Sequence, residues 1–147
     1  MHLTELDTPA LCIDLDVLEK NIDDLQKTCN RLEIPLRVHT KTHKTPAIAR
    51  KQVAAGAIGI VSQKLGEAEA MAAGGIEDIL IPYNIVGKAK LTRLTRLVLG
   101  GQSTITVAAD SSATVTGLSQ AASSKWTPAA VALVRNLPPT HSPWRRK

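Results

Sequence analysis

Short apolar runs alternate with longer segments of helical period, and this alternation limits the fold more than any other feature of the chain. The runs are LRVHTK (Leu36 to Lys41), AIGIVSQ (Ala57 to Gln63), DILIPY (Asp78 to Tyr83) and ITVAAD (Ile105 to Asp110). Each run with its following helix takes about 22 to 25 residues. Near-continuous apolar strands separated by amphipathic helices indicate a parallel sheet covered by those helices, joined through right-handed crossovers. A closed (β/α)8 barrel of such units needs roughly 200 residues or more. A chain of 147 residues holds about half of one. An open doubly wound sheet is the alternative. No glycine-rich phosphate loop of the GxGxxG type follows any strand, so its dinucleotide-binding version has no support.

The boundaries follow from local signals. ALCIDL (Ala10 to Leu15) alternates and reads as a strand. Asp14 or Asp16 then caps a helix whose apolar stripe is Leu18, Ile22, Leu25, Cys29 and Leu32, ended by Ile34-Pro35. Thr45 caps the next helix with Pro46 in its first turn, and Gly56 stands where a left-handed C-terminal cap is expected. A helix over Lys64 to Ala73 is stopped by Gly74-Gly75. Another runs from Gly87 to about Leu99, with Leu91, Leu94, Leu97 and Val98 inward and Lys88, Lys90, Arg93 and Arg96 outward. Asp110, Ser111 or Ser112 caps a last helix reaching about Ala122.

From Ser124 the character changes. Both tryptophans and four of the eight prolines lie there, and no acid does. Ala129 to Val134 fits a short strand or a helical turn, and the rest reads as irregular. Residues 1–123 are therefore expected to form the partial barrel, and 124–147 a basic tail of the kind a frameshift or truncation leaves.

That tail explains the charge. All 13 acidic residues lie at or before Asp110, and the first 123 residues carry 13 basic and 13 acidic side chains. The net charge of +5 belongs to Lys125, Arg135, Arg145, Arg146 and Lys147, so a nucleic-acid partner is not expected. No apolar run of membrane-spanning length occurs, and the N-terminus has no signal-peptide pattern. Cys12 and Cys29 form no CxxC. They read as small buried apolar residues of a cytoplasmic, reducing compartment. With no Phe, one Tyr and two Trp, Ala, Leu, Ile and Val must fill the core.

Leu36 to Pro46, LRVHTKTHKTP, carries the chemistry. Side chains alternate on a strand, so Arg37, His39 and Lys41 are expected on one face and Leu36, Val38 and Thr40 on the other. In a barrel the polar set faces the interior and rises to Lys41 at the C-terminal end, where enzyme sites of parallel sheets lie. A lysine attacks an aldehyde only when neutral, and burial or a nearby cation lowers its pKa. Arg37, Lys44 and a protonated histidine could supply that field. His39 and His43 flank the lysine and suit proton transfer near neutral pH. The residue types alone leave a second reading open, a solvated loop or an anion-binding patch with Lys44 as a surface lysine or phosphate contact.

TPALCIDLDVLEKNI, and then RVHTKTHKTPAIARKQVAAGAIGIVSQKLGEAEAMAAGGIEDILIPYNIVG, resemble the alanine-racemase-like, fold-type III pyridoxal-phosphate enzymes. The branch they look most like holds D-threonine aldolase and the eukaryotic-type D-serine dehydratase. The resemblance runs from about Thr8 to about Ala122, and the HxKTHK block followed by LGEAE is its specific part. It implies an α/β fold that is part of a (β/α)8 barrel of the alanine racemase N-terminal type. It implies that Lys41 binds pyridoxal phosphate, with His39 and His43 beside it as catalytic candidates. Lys44, Gln63, Tyr83 and Asn84 become cofactor-pocket candidates, while Asp110 reads better as a helix cap. The implied activity is that of a lyase on a small D-amino acid, of the D-threonine aldolase type, with D-serine dehydratase chemistry or an inactive cofactor-binding module as alternatives. The family also implies a divalent metal, whose ligands are expected in later parts of a longer chain. ALCIDL is implied to belong to a separate β domain. Family members are more than twice this length. The open sheet edges of a half-barrel allow a homodimer.

Overall fold

A carboxylate at the first helix start sets the chain direction. Asp14 accepts a hydrogen bond from the Val17 N–H at 3.1 Å, and Asp16 lies in the first turn beside the helix dipole. Helix α1 then runs Leu15–Arg31. It closes with Ile34 N–H donating to the Cys29 carbonyl at 3.0 Å while Glu33 takes a left-handed φ of 55°. Pro35 forbids continuation. A computed structural model describes residues 2–109 and 131–133 of this chain.

The elements after α1 alternate as the sequence predicts. They are β1 Arg37–His39, α2 Pro46–Ala54, β2 Gly59–Val61, α3 Leu65–Ala73, β3 Asp78–Ile81, α4 Lys88–Leu99, β4 Thr104–Ala109 and β5 Val131–Leu133. The five strands form one sheet in chain order, and every neighbouring pair is parallel. Strand β5 realises the strand alternative for Ala129 to Val134, inside a tail expected to be otherwise irregular. The helix expected from Asp110 to Ala122 lies outside the described residues.

Register divides the sheet into two faces. Val38 pairs with Ile60, Ile60 with Ile79, Ile79 with Ile105 and Ile81 with Val107. Ile60, Ile79, Ile81, Ile105 and Val107 pack with Ala49 of α2, with Leu65, Ala68, Met71 and Ala72 of α3 and with Leu94 of α4. Full burial of one such aliphatic side chain contributes roughly 1.5–3 kcal/mol. The core is aliphatic, as a chain without Phe requires. The opposite face carries Arg37, His39, Gly59, Val61, Asp78, Leu80, Thr104 and Thr106. Most of these are only half-buried, and Thr104 is exposed. Here the Arg37 guanidinium passes over Gly59, donates to Asp78 Oδ1 at 2.7 Å and reaches the Ile60 carbonyl at 3.4 Å. A Cβ at Gly59 would stand 2.5 Å from Arg37 Nη1 and 2.8 Å from the Asp78 carbonyl. Glycine is what lets this ion pair cross the strand.

Three expectations need correction. ALCIDL is not a strand; residues 10–14 carry no regular structure, and Leu15 already begins α1. A strand requires a partner for its backbone groups, and no described segment offers one. The α1 stripe is inward only in part. Leu18, Ile22 and Cys29 are half-buried, but Leu25 and Leu32 are exposed and polar Gln26 takes the buried position. Gln26 is buried with its Nε2 donating to Asn30 Oδ1 at 2.8 Å, while its Oε1 is buried without a partner. The cysteines are not core residues: Cys12 is exposed, Cys29 is half-buried, and both are free thiols.

Candidate active site

The C-terminal ends of the parallel strands hold the candidate residues. Strand β1 stops at His39, and Thr40–Thr42 form a single 3-10 turn. This turn is pinned from several sides. Thr40 is fully buried, and its hydroxyl donates to the Val61 carbonyl of β2 at 3.1 Å. Its carbonyl accepts the N–H groups of His43 at 3.3 Å and Lys44 at 2.8 Å. His39 Nδ1 accepts the Lys41 N–H at 3.3 Å. Lys41 therefore sits on the turn and not on the strand, so strict alternation with Arg37 and His39 does not extend to it. Its side chain is exposed, which corrects the expectation of burial in the chain as described.

The expected cationic field is also absent in that form. Arg37 is paired with Asp78 on the sheet face, two residues before the strand end. Lys44 Nζ lies 3.4 Å from Glu67 Oε1. Burial pushes the His43 pKa below the ordinary histidine value, so this ring is neutral near pH 7. Thr45 N–H donates to His43 Nδ1 at 3.0 Å, which assigns the ring proton to Nε2. That nitrogen and Oε1 of Gln52 are both buried, and the Gln52 side chain interacts with the His43 ring, partly opposing the effect of burial.

The neighbouring strand ends build a cavity of about 520 Å3 between the starts of α3 and α4. Gln63, Tyr83 and Asn84 all line it, together with Glu67, Lys90 and Arg93. The structure thus gathers three expected pocket residues in one cavity and places Lys41, His39, His43 and Lys44 on the adjacent turn. Gln63 Oε1 is buried and unpaired, leaving an acceptor for a donor group. Asp110 lies outside the described residues.

Glu67 joins the two groups, and sequence reasoning assigned it no role. Its Oε2 accepts the Gln63 N–H at 2.9 Å, one residue before the N-cap Lys64 of α3. Its other oxygen holds Lys44. The signal was available in LGEAE, an acid three residues after the N-cap Lys64, but its partner Lys44 is a tertiary contact. Among the described residues no group of three His, Cys, Asp or Glu side chains could hold a metal ion, and no helix is long and apolar enough to cross a membrane.

A βα-repeat sheet with a lysine turn and a cavity at its strand ends defines an α/β scaffold, and comparison with known proteins gives it relatives. The chain is 41% identical over 119 residues to D-threonine aldolase of an Arthrobacter species, covering 81% of this chain and 31% of that protein. It is 38% identical over 123 residues to 3-hydroxy-D-aspartate aldolase of Paracoccus denitrificans, covering 83% and 32%. It is 46% identical over 78 residues to D-threo-3-hydroxyaspartate dehydratase of Delftia sp. HT23, covering 53% and 20%. The crystal structure of D-threonine aldolase from Filomicrobium marinum superposes with a TM-score of 0.79 at 38% identity, over 89% of this chain and 35% of that one. The chain is a homologue of D-threonine aldolase, 3-hydroxy-D-aspartate aldolase and D-threo-3-hydroxyaspartate dehydratase. It spans about a third of the length of the curated relatives that it matches along most of its own length. No protein-family model matches it.

Proposed function

We propose that residues 1–123 form part of an alanine-racemase-type (β/α)8 barrel and carry the lysine side of a pyridoxal-phosphate lyase site for D-3-hydroxy amino acids, of the D-threonine aldolase type. The observation that carries this reading is the pinned Lys41 turn beside the Gln63–Tyr83–Asn84 cavity, at the C-terminal ends of parallel strands. The residues fit the cofactor: Lys41 offers an exposed amine for its aldehyde, and Gln63 Oε1 is a buried acceptor without a partner. When bound, pyridoxal phosphate supplies an electron sink for the pair released as the Cα–Cβ bond breaks.

The chain's own residues do the rest. Lys41 presents its amine from a backbone fixed by Thr40 and His39. His39 stands at the end of β1, where its Nδ1 accepts the Lys41 backbone N–H, and in this reading it is a proton-transfer group. His43, kept neutral by burial, holds its proton at Nε2. Tyr83 brings a phenol O–H and Asn84 an amide to the cavity in which a small substrate would sit. The relatives include a dehydratase, one of whose variants is solved in a metal-free form. That supports a metal in these relatives; in this reading its ligands are absent from this chain, and when bound it would supply Lewis-acid chemistry at the substrate. Two free cysteines fit a reducing, cytoplasmic setting.

Product analysis tests the reaction. With pyridoxal phosphate and a divalent cation, D-threonine should yield glycine and acetaldehyde, and Lys41→Ala should abolish both. Keto acid and ammonia from D-threonine or D-serine would instead favour the dehydratase reading, which the 46% identity to the Delftia protein supports. Absence of both pairs of products would contradict a lyase.

A further inference from the structure

We propose that His43 is a positioning residue, a latch that ties the Lys41 turn to α2 and holds only while its Nδ1 carries no proton. Its service to the cofactor rests on the reading of Lys41 as the cofactor lysine; the latch itself does not.

The geometry joins the turn to the helix through one residue. His43 closes the 3-10 turn Thr40–Thr42, its N–H donating to the Thr40 carbonyl at 3.3 Å. The Lys41 backbone lies inside the loop that this bond closes. His43 then reaches forward along the chain. Its Nδ1 accepts the Thr45 N–H at 3.0 Å, and the Thr45 hydroxyl donates to its carbonyl at 2.7 Å. Thr45 is the N-cap of α2 but makes no side-chain capping bond to it. Both Thr45 donors are given to His43 instead. The ring also meets Gln52 of α2, with its Nε2 and Gln52 Oε1 both buried. Between His43 and Thr45, Lys44 has a left-handed φ of 50°, a conformation that surrounding contacts must hold in place.

The latch depends on one proton. A proton on Nδ1 would set donor against donor at the Thr45 N–H, so it breaks that bond. Burial opposes the proton, and Gln52 and the Thr45 backbone favour it in part; no charged side chain contributes to that balance. The charged groups of the surrounding elements are engaged elsewhere or exposed. Lys44 lies at Glu67, Arg50 donates to the Gly74 carbonyl, Lys51 pairs with Glu19, and Lys41 is exposed. Strand β2 carries no charge, and His39 Nδ1 accepts the Lys41 N–H. A ring held from both the turn and α2 sets position, which removes His43 from the proton-transfer candidates.

Amide hydrogen exchange followed by NMR from about pH 7.5 to about pH 4.5, corrected for intrinsic rates, reads the latch without any cofactor. Thr45 protection should be level above about 6.5, the ordinary histidine value, and fall by up to about tenfold per pH unit below it. In His43→Asn the side chain still offers an acceptor to the amide two residues on and cannot titrate, so protection should stay level with pH. In His43→Ala it should be lost several-fold at every pH. Borohydride reduction with pyridoxal phosphate near neutral pH should follow the same order. The share of label at Lys41 should be kept in His43→Asn and at least halved in His43→Ala. Thr45 protection independent of pH in the unaltered chain, or His43→Asn no better than His43→Ala, would overturn the latch. So would a pH-dependent loss spread equally over α3 and α4, the mark of global unfolding. Unchanged label at Lys41 in His43→Ala, with Thr45 protection lost, would overturn the positioning role. An unaltered chain that takes no label at Lys41 would overturn the cofactor reading, while Thr45 exchange would still decide the latch.

Discussion

His43 shows how far residue type and residue state can differ. A histidine beside a lysine is visible in HTKTHK, but its protonation depends on burial, which the sequence does not display. Burial depresses its pKa, so the unfolded chain binds the proton more readily than the folded one. Stability is then fully present above the unfolded value, about 6.5, and falls as pH drops through it. Urea midpoints should decline between pH 7.5 and pH 5.5, and His43→Gln should flatten that decline. Gly59 is the second test among single residues. Its Cβ would stand 2.8 Å from the Asp78 carbonyl, backbone that cannot swing aside. Gly59→Ala should cost about 1–3 kcal/mol in chemical denaturation, whereas an unchanged midpoint would mean that the Arg37 path can move. Glu67 was written in LGEAE, but nothing local marks its pairing with Lys44, because that contact forms only when β1 and β2 lie side by side.

Elements were legible wherever period and punctuation agreed. Thr45-Pro46, Gly56, Gly74-Gly75 and Gly87 bracket α2, α3 and α4 closely, since caps and stops act locally. The capping role of Thr45 is positional only: its hydroxyl donates to the His43 carbonyl at 2.7 Å instead of capping α2. Two elements were less legible. Lys41 left the strand because the β1 backbone turns at Thr40, and a turn of three residues carries no periodic signal. The α1 stripe suggested a buried face, but a stripe states only which side is apolar, not what lies against it. Leu94, 1% exposed at the centre of α4, and Leu25, exposed on α1, separate the two cases. Leu94→Ala should destabilise by roughly 2–4 kcal/mol, and Leu25→Ala by less than about 1 kcal/mol. Equal losses would mean that α1 is packed against more than α2.

Across the molecule, the alternation implied a parallel sheet but left barrel and doubly wound orders open, and the described strands run in chain order. What lies across the Arg37–Leu80 face and along the outer sides of β1 and β5 is not encoded in the local pattern, because closure depends on strand number and stagger. Leu11, Ile13, Leu15 and Val17 are exposed in a row before and within α1. Apolar rows and sheet edges favour association, so sedimentation should show concentration-dependent dimers, weakened by Leu11→Lys with Ile13→Lys. A monomer at every concentration would contradict that expectation.

The role of Lys41 carries the whole functional reading, and one experiment addresses it. The full chain is incubated with pyridoxal phosphate and reduced with borohydride, and the modified lysine is mapped by mass spectrometry. Stoichiometric modification is expected at Lys41, lost in Lys41→Ala without transfer to other sites. Modification scattered over Lys44, Lys64 and Lys88 would contradict that role, because the pinned turn and its cavity would then confer no preference on the lysine they present.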